Sequence, residues 1–341
     1  MKAIQFIEPG KVEVIDLPAP KPGAGEVLLK INFIGICGTD LSTYRGGNPL
    51  VKYPVIPGHE ISAEVVELGA GVPTHIQVGM LVTANPYTSC GKCPSCKRRR
   101  YNACQYNETM GVQRNGAMSE FVVLPWEKIL VNSELGKDAL ALVEPLSVGF
   151  HSVARAEVTD IDTVLVLGCG MIGAGAIVRA ALRGARVIAV DLDDEKLAVA
   201  KRLGAQYTVN TTKTDLHTFL QELTEGNGPD VVIEAVGSPV TYVTAIEEVA
   251  FTGRVVYIGY AKKEVAFTTK FFVQKELDIR GSRNALPEDF VAVMHYMQSG
   301  KLPLEELVTK RVTPEGVADA MEEWSNNPGD VFKIFVDFNK A

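Results

Sequence analysis

The stretch from Thr163 to Asp191 constrains the fold most, because it places a strand, a glycine-rich turn and a helix in a fixed order. Thr163–Leu167 is a continuous apolar run, and it leads into Gly168-Cys169-Gly170-Met171-Ile172-Gly173, a G-x-G-x-x-G sequence that opens an Ala-rich helical pattern. Glycines at this spacing allow a tight turn and the close approach of a pyrophosphate to a helix N-terminus. A second strand pattern then ends at Asp191. This order predicts a dinucleotide site on a doubly wound parallel sheet.

Asp191 indicates which dinucleotide binds. It lies 23 positions after Gly168, at the end of the second strand, where a carboxylate accepts hydrogen bonds from the adenosine ribose and repels a 2′-phosphate. We therefore predict NAD rather than NADP. Lys196 is a candidate to cover the adenine or ribose; a solvated helix lysine is the alternative. The predicted contacts in this region are Gly168, Gly170, Met171, Ile172, Gly173, Asp191 and Lys196.

Strand and helix patterns divide the chain into segments of different kinds. Before residue 150, short alternating apolar and polar runs predict a mostly antiparallel, barrel-like domain. After it, apolar runs alternate with helical patterns, which is typical of a parallel sheet. We expect the tail to return to the first domain, so that the sheet domain is an insertion. The predicted division is 1–150, 151–290 and 291–341.

The individual elements are predicted as follows. The predicted strands are Lys2–Ile7, Val12–Asp16, Glu26–Phe33, Glu60–Gly69, Met80–Thr83, Thr163–Leu167, Arg186–Val190, Asp230–Val236, Arg254–Ile258 and Phe332–Phe338. The predicted helices, besides the one after Gly173, are Asp215–Thr224, Val240–Ala250, Pro287–Gln298 and Pro314–Asn326.

Four cysteines in one short loop predict a metal site. They are Cys90, Cys93, Cys96 and Cys104, in the pattern C-x2-C-x2-C-x7-C. Four thiolates can surround one Zn²⁺ tetrahedrally and leave no position open for chemistry, so the site would be structural. The loop is too polar to build a core of its own, and the metal would organise it. A pair of disulfides and an iron–sulfur cluster are the alternatives.

Composition excludes several classes of function. The 341 residues carry a net charge of −7, which argues against nucleic acid as a partner. The most apolar stretch, Val164–Val178, is shorter than the roughly 20 residues that span a bilayer. No secretory signal is visible at the start of the sequence. We therefore expect a reduced, cytoplasmic protein without a membrane partner.

A second metal site is suggested by residues from three separate segments. Cys37 lies in GICGTD, His59 and Glu60 in PGHE, and Glu144 in VEPLS. An open catalytic zinc needs three such ligands and one exchangeable position. Each residue also has an ordinary structural interpretation: Cys37 as a small buried residue, His59 as a core histidine and Glu144 as a helix-entry carboxylate.

The motifs GICGTD, PGHE, the four-cysteine loop, EPLSVGFHS and GCGMIG, in this order, resemble the zinc-dependent medium-chain dehydrogenase/reductase family. The resemblance covers essentially the whole chain. Glu144 stands where alcohol dehydrogenases of the family place a second cysteine ligand, so the chain looks like the polyol, threonine and sugar-acid branch. GSRNALPEDF (281–290) resembles a segment of L-galactonate-type dehydrogenases, and Ser282 and Arg283 in it are candidate coenzyme contacts.

The resemblance implies a GroES-like barrel domain plus a Rossmann domain, assembled as a homodimer or homotetramer. It implies two zinc ions per chain: a catalytic one on Cys37 and His59, with Glu60 or Glu144 directly or through water, and a structural one on the four-cysteine loop. Thr39 would relay the substrate proton. Close relatives often carry a relay histidine where this chain has Ser42, so we expect the relay to run through Thr39, the nicotinamide ribose and water, with Ser42 as an additional candidate.

The predicted reaction is the reversible, NAD-dependent oxidation of a secondary alcohol of a polyol or sugar acid to a ketone. L-threonine 3-dehydrogenase and a non-catalytic NAD-binding redox sensor are the alternatives. A substrate carboxylate would need an arginine, for which Arg45, Arg114 and Arg283 are candidates.

Overall fold

The structure is a computed structural model that describes residues 1–329 and 331–340. The strands are β1 (Lys2–Glu8), β2 (Lys11–Asp16), β3 (Glu26–Ile36), β4 (Glu60–Leu68), β5 (Leu81–Ala84), β6 (Phe121–Pro125), β7 (Ile129–Val131), β8 (Thr163–Leu167), β9 (Arg186–Asp191), β10 (Tyr207–Asn210), β11 (Val231–Glu234), β12 (Arg254–Tyr257), β13 (Asp278–Gly281), β14 (Lys310–Val312) and β15 (Ile334–Asp337).

Helices connect and flank these strands. The α-helices are α1 (Gly38–Tyr44), α2 (Pro94–Lys97), α3 (Lys137–Ala141), α4 (Val143–Arg155), α5 (Met171–Leu182), α6 (Asp194–Arg202), α7 (Leu216–Leu223), α8 (Pro239–Glu248), α9 (Lys270–Gln274), α10 (Pro287–Gln298), α11 (Leu304–Leu307) and α12 (Val317–Asn326). No α-helix within the described ranges has the length and apolar character needed to cross a bilayer.

The chain forms two compact units. The first comprises Met1–Glu144, Met294–Gly300 and the described residues from Leu304 onward. The second comprises Pro145–Val293 and Lys301–Pro303.

The first unit is built on a seven-stranded sheet in the order β14-β15-β3-β4-β5-β7, with β6 paired to β3. β3 is its longest strand and pairs antiparallel with β4, β6 and β15. Because β3 is flanked by other strands, most of its residues are buried, and it has the near-continuous apolar sequence VLLKINFIGI. The core side chains of the first unit include Ile4, Phe6, Leu29, Ile31, Ile34, Ile61, Val82, Met118 and Val336.

The second unit is a six-stranded sheet in the order β10-β9-β8-β11-β12-β13. Every pair in it is parallel. From β8 the chain adds β9 and β10 on one side of the sheet, and it then returns to add β11, β12 and β13 on the other side. The direction of winding therefore reverses between β8 and β11, and open α/β sheets bind their ligands at the carboxyl ends of strands at such a point.

The predicted fold class, a GroES-like barrel domain with a Rossmann sheet domain, is confirmed. Most predicted strands agree with the structure to within one or two residues. The sequence analysis missed five short strands, β6, β7, β10, β13 and β14. It also extended the last strand back to Phe332, whereas β15 begins at Ile334.

Candidate active site and metal centres

Cys37 and His59 lie side by side because two paired strands deliver them. β3 ends one residue before Cys37, and β4 begins one residue after His59. These antiparallel strands pair Gly35 with Glu60. The Sγ atom of Cys37 is consequently 3.4 Å from Nε2 of His59. Two residues that are 22 positions apart in sequence thus form one site in the first unit.

Asp40 completes a group of three potential ligands. Its Oδ2 atom accepts a hydrogen bond from the Cys37 N–H at 2.9 Å, at the start of α1. One ligand atom from each of Cys37, Asp40 and His59 lies within 4.8 Å of the other two. Oδ1 of Asp40 and Nδ1 of His59 are buried, and neither has a hydrogen-bond partner in the described chain. A thiol, an imidazole and unfilled polar atoms at one point are the donor set that zinc binds, so these residues fit the metal.

Burial and neighbouring negative groups shift the pKa values of Cys37 and His59. Burial raises the pKa of the Cys37 thiol, and the neighbouring Asp40 raises it further. Burial alone would lower the pKa of His59, but the Cys37 sulfur outweighs it and raises that pKa well above 6.5. A bound divalent cation would reverse this trend at Cys37, because a coordinating thiol loses its proton.

Glu60 is held by a buried lysine. Nζ of Lys333 donates to both carboxylate oxygens of Glu60, each at 2.6 Å, and to the carbonyl of Ile36 at 3.2 Å. The side chains are only 2% and 1% exposed. Burial raises the pKa of Glu60, and the charge of Lys333 opposes that rise. The ion pair fixes the carboxylate beside His59.

Glu144 is held by a tyrosine. It lies in the first turn of α4, and its Oε1 atom accepts a hydrogen bond from the Tyr87 hydroxyl. Both residues are buried. Burial, reinforced by the charge of Glu144, raises the pKa of Tyr87 well above its ordinary value. The phenol therefore keeps its proton and remains a donor to the carboxylate.

The backbone before His59 is braced by a glycine-containing segment. Gly116 donates its N–H to Ile56 O at 2.7 Å, and Met118 donates to Pro57 O at 3.0 Å. A Cβ atom on Gly116 would lie 2.4 Å from the carbonyl oxygens of both Pro57 and Gly58. Only glycine permits this approach, which places the turn that carries His59.

The two predicted relay residues lie on α1. Thr39 is exposed in the first turn, and Ser42 is half-buried one turn later. The Thr39 carbonyl accepts a hydrogen bond from the Thr43 hydroxyl at 2.9 Å. Both hydroxyl-bearing residues are thus on α1, the helix that Cys37 caps at its N-terminus.

The four-cysteine loop forms a second cluster in the first unit. One sulfur from each of Cys90, Cys93, Cys96 and Cys104 lies within 4.8 Å of the others. All four are free thiols. The Sγ atoms of Cys93 and Cys104 are 3.8 Å apart, far beyond the roughly 2.05 Å of a disulfide bond. The arrangement fits a closed tetrahedral metal site.

Backbone amides point at these sulfurs. The amides of Cys90 and Tyr106 donate to the Cys104 sulfur at 3.3 and 3.4 Å. Hydrogen bonds from the Ser95 hydroxyl and nearby amides lower the pKa of Cys93 to about 5. Burial raises the pKa of Cys96 to about 11. The cluster therefore contains one sulfur that ionises readily, which favours the entry of a cation.

The glycine-rich turn in the second unit has the geometry of a dinucleotide loop. Gly168 follows β8 with φ +94°, and Gly170 caps the N-terminus of α5. A Cβ atom on Gly173 would lie 1.9 Å from the Gly168 carbonyl oxygen. Met171 is buried and Ile172 half-buried at the start of the helix. The turn leaves a helix N-terminus open at the carboxyl end of β8, as a pyrophosphate requires.

Asp191 is fixed next to this turn. Its Oδ2 atom accepts a hydrogen bond from the Cys169 N–H at 2.7 Å, and its Oδ1 atom accepts from the amides of Leu192 and Asp193 at 2.7 and 3.2 Å. Carboxylate oxygens carry about four lone-pair sites, so acceptor capacity remains for a ribose. Lys196 is half-buried in the first turn of α6.

Two further predicted contacts lie after β13. Ser282 is buried, its N–H donates to Tyr257 O at 2.9 Å, and its hydroxyl has no hydrogen-bond partner in the described chain. Arg283 is half-buried. Both therefore follow the carboxyl end of an edge strand of the second unit.

The other arginines suggested for a substrate carboxylate have protein partners. Arg45 donates to the Ser325 hydroxyl at 2.9 Å and to the Ser325 carbonyl. Arg114 donates to the carbonyls of Glu108 and Pro86 at 3.2 and 3.4 Å. These contacts give both side chains a structural role.

Sequence reasoning missed Lys333 and Tyr87. A signal for Lys333 was present, because a lysine interrupts the apolar run VFKIFV and a buried lysine needs a partner. That partner lies 273 residues away, which no local pattern reveals. Tyr87 precedes the four-cysteine loop and carries no motif of its own.

Comparison with known proteins identifies the family. The sequence model of the alcohol dehydrogenase GroES-like domain matches residues 23–134, and that of the zinc-binding dehydrogenases matches residues 172–299. The chain is 34% identical to L-galactonate-5-dehydrogenase of Escherichia coli K12, over 94% of both chains. It is also 34% identical to L-threonine 3-dehydrogenase of Pyrococcus horikoshii, over 91% of both.

A solved structure agrees over nearly the whole chain. It is described as a short chain alcohol dehydrogenase, rspB, from Escherichia coli CFT073, in complex with NADH. It superposes with a TM-score of 0.90, at 30% identity and over 99% of both chains. The expected cofactors, zinc and NAD, are confirmed. With both domains matched and relatives aligned over more than nine-tenths of the chain, the chain belongs to the zinc-dependent medium-chain dehydrogenase/reductase family and is an NAD-dependent alcohol dehydrogenase.

Proposed function

We propose that this enzyme reversibly oxidises a secondary alcohol of a polyol or sugar acid, of the L-galactonate type, to a ketone. The observation that carries the proposal is the set of groups around Cys37 and His59. Two buried carboxylates, Glu60 and Glu144, accompany them in place of a second thiolate. The similarity to L-galactonate-5-dehydrogenase supports the same substrate class.

When bound, zinc supplies a Lewis acid that makes a substrate hydroxyl more acidic, and NAD supplies the hydride acceptor. Cys37 and His59 would hold the catalytic ion, with Glu60 or Glu144 as a further ligand, directly or through water. Lys333 and Tyr87 fix the positions of these two carboxylates. We further propose that the four-cysteine loop holds the structural ion.

The residues on α1 would move the proton. We infer that Thr39 accepts it from the substrate side of the site and that Ser42 passes it towards water. Hydroxyl groups can both donate and accept hydrogen bonds, so they serve as relays without a change of charge. Thr39→Val should therefore lower kcat while leaving the zinc content unchanged.

Binding of NAD would use the glycine-rich turn and its neighbours. We propose that the pyrophosphate rests at Gly168, Gly170, Met171, Ile172 and Gly173 and that Asp191 and Lys196 bind the adenosine half. Ser282 and Arg283 would contact the coenzyme from the end of β13. The unfilled Ser282 hydroxyl supports this assignment.

L-threonine 3-dehydrogenase is the second candidate, because the Pyrococcus horikoshii relative is as similar as the galactonate enzyme. One substrate panel separates the candidates. Protein and NAD⁺ are incubated with hexitols, aldonates and threonine, and NADH absorbance is followed. We expect turnover on an aldonate or a hexitol. Turnover on threonine alone would refute the proposal, and no turnover by zinc-loaded protein would favour a redox sensor.

Two cysteine variants test the division of the metal sites. We expect about two zinc ions per chain, one from each kind of site. Cys37→Ser should abolish activity and leave the fold, whereas Cys93→Ser should lower stability first. Identical behaviour of the two variants in elemental analysis, thermal unfolding and turnover would contradict the division.

We also propose a cytoplasmic enzyme that assembles as a homodimer or homotetramer. Six free cysteines are typical of a protein kept in a reducing compartment. Light scattering on the purified protein gives the oligomeric state, and a monomeric mass would contradict that part of the proposal.

A further inference from the structure

The buried carboxylate of Glu234 has no role in the site described so far. Glu234 is the last residue of β11 and is 0% exposed. Its register partner on β8 is Leu167, the residue before the glycine-rich turn. The side chain therefore lies at the point where the sheet reverses its winding, beside the predicted coenzyme loop.

One oxygen of this carboxylate organises the next turn of the chain. Oε1 accepts hydrogen bonds from the amides of Val236 and Gly237 at 3.0 and 2.8 Å, and from the Thr241 hydroxyl at 2.7 Å. Thr241 belongs to the first turn of α8, where it also forms a capping box with Ser238. A single atom thus joins the end of β11, the turn and the following helix.

The turn held in this way covers the glycine-rich loop. A Cβ atom on Gly168 would lie 2.6 Å from Cγ2 of Val236, so the valine side chain packs directly over that glycine. Val236 itself is 51% exposed. It is an apolar group held at the open end of the sheet, where the coenzyme would lie.

Stability alone does not explain the carboxylate. In the described part of the chain, Oε2 of Glu234 has no hydrogen-bond partner, and no lysine, arginine or histidine forms an ion pair with Glu234. Burying an unpaired carboxylate costs free energy. Three donors nevertheless converge on Oε1, so the role of the side chain lies in the hydrogen bonds of that atom.

We propose that Glu234 is a positioning residue for the coenzyme: it fixes the turn that holds Val236 against Gly168, and Val236 forms part of the coenzyme site. The inference rests on the proposed placement of NAD at the glycine-rich turn. It predicts that Glu234 affects coenzyme affinity through Val236 and not through the metal centres.

The test is NADH binding, measured by fluorescence titration in the absence of an alcohol. Glu234→Leu removes the acceptor and should weaken binding about tenfold or more, whereas Glu234→Gln retains an acceptor oxygen and should stay within about threefold of the wild type. Val236→Ala should weaken binding similarly. Because Glu234 acts through Val236, adding Glu234→Leu to Val236→Ala should change the Kd little further.

Val232→Ala is the matched control. It lies in the same strand and on the same face, is 0% exposed, and its apolar side chain cannot accept the hydrogen bonds that Glu234 accepts. It should lower the melting temperature without changing the NADH Kd, and zinc content should be unchanged in all variants.

The proposal is overturned if Glu234→Leu binds NADH like the wild type, if Val232→Ala weakens binding equally, or if the two effects at 234 and 236 simply add. Should Glu234→Leu fail to fold, Thr241→Val, which removes one of the three donors, must weaken binding to a smaller extent. Wild-type protein that binds no NADH would refute the coenzyme placement itself. A failed substrate panel with normal NADH binding would refute only the proposed substrate.

Discussion

Lys333→Met should destabilise the first unit strongly, because it leaves the Glu60 carboxylate buried and unpaired. Both side chains are almost fully buried, and the lysine makes three hydrogen bonds. Removing one partner of such a pair costs about 3–5 kcal/mol, whereas removing both is often close to neutral. With a urea m-value of about 1–3 kcal/mol/M, a loss of 3 kcal/mol lowers the unfolding midpoint by at least about 1 M.

Tryptophan fluorescence measures this effect selectively. The chain has two tryptophans, Trp126 and Trp324, and both belong to the first unit. Urea unfolding followed by their emission therefore reports on the unit that contains the ion pair. The double variant Lys333→Met/Glu60→Gln should recover most of the loss.

The matched control is Lys2→Met, which breaks the exposed ion pair with Glu315. Exposed pairs contribute little, so its midpoint should not change measurably. A Lys333→Met midpoint equal to that of the control would refute the reasoning. So would a double variant that is no more stable than the single one.

Three further outcomes are expected. Tyr87→Phe should lower kcat/KM about tenfold or more, because the Glu144 carboxylate loses the hydrogen bond that the Tyr87 hydroxyl donates to it. Steady-state kinetics on protein with unchanged zinc content check this, and a wild-type kcat/KM would contradict it. Gly116→Ala should reduce both stability and activity, because the new Cβ atom would lie 2.4 Å from the Pro57 carbonyl oxygen. A melting temperature equal to that of the wild type would contradict this prediction. Slow removal of zinc by a chelator should first abolish turnover and then lower the melting temperature, because an open site exchanges its ion more readily than a closed four-thiolate site. The reverse order would contradict the assignment of the open site to Cys37 and His59 and of the closed site to the four-cysteine loop.

The sequence predicted the fold class because both halves carry strong patterns. In the second unit, the buried strands and the spacing from Gly168 to Asp191 are local features, so they can be recognised in the sequence without knowing which strands pair. In the first unit, β6 and β7 escaped notice because each is short and Pro125 and a 3₁₀ turn interrupt the pattern. Short strands of this kind are stabilised by their neighbours and not by their own sequence.

The candidate site was predictable only where it depends on motifs. Cys37 and His59 could be named from their segments, and their separation of 3.4 Å follows from the pairing of β3 with β4. The groups that hold the carboxylates could not be named. Lys333 and Tyr87 act through contacts between residues far apart in sequence, and such contacts depend on the completed fold.

The bond between Lys333 and Glu60 also affects how the enzyme is made. A ribosome completes Glu60 long before it reaches Lys333, 273 residues later. β15, the last strand of the described chain, must then pair with β3. The nascent first unit therefore carries an uncompensated acidic group until Lys333 emerges, and chains that stop before Lys333 should be substrates for chaperones and proteases.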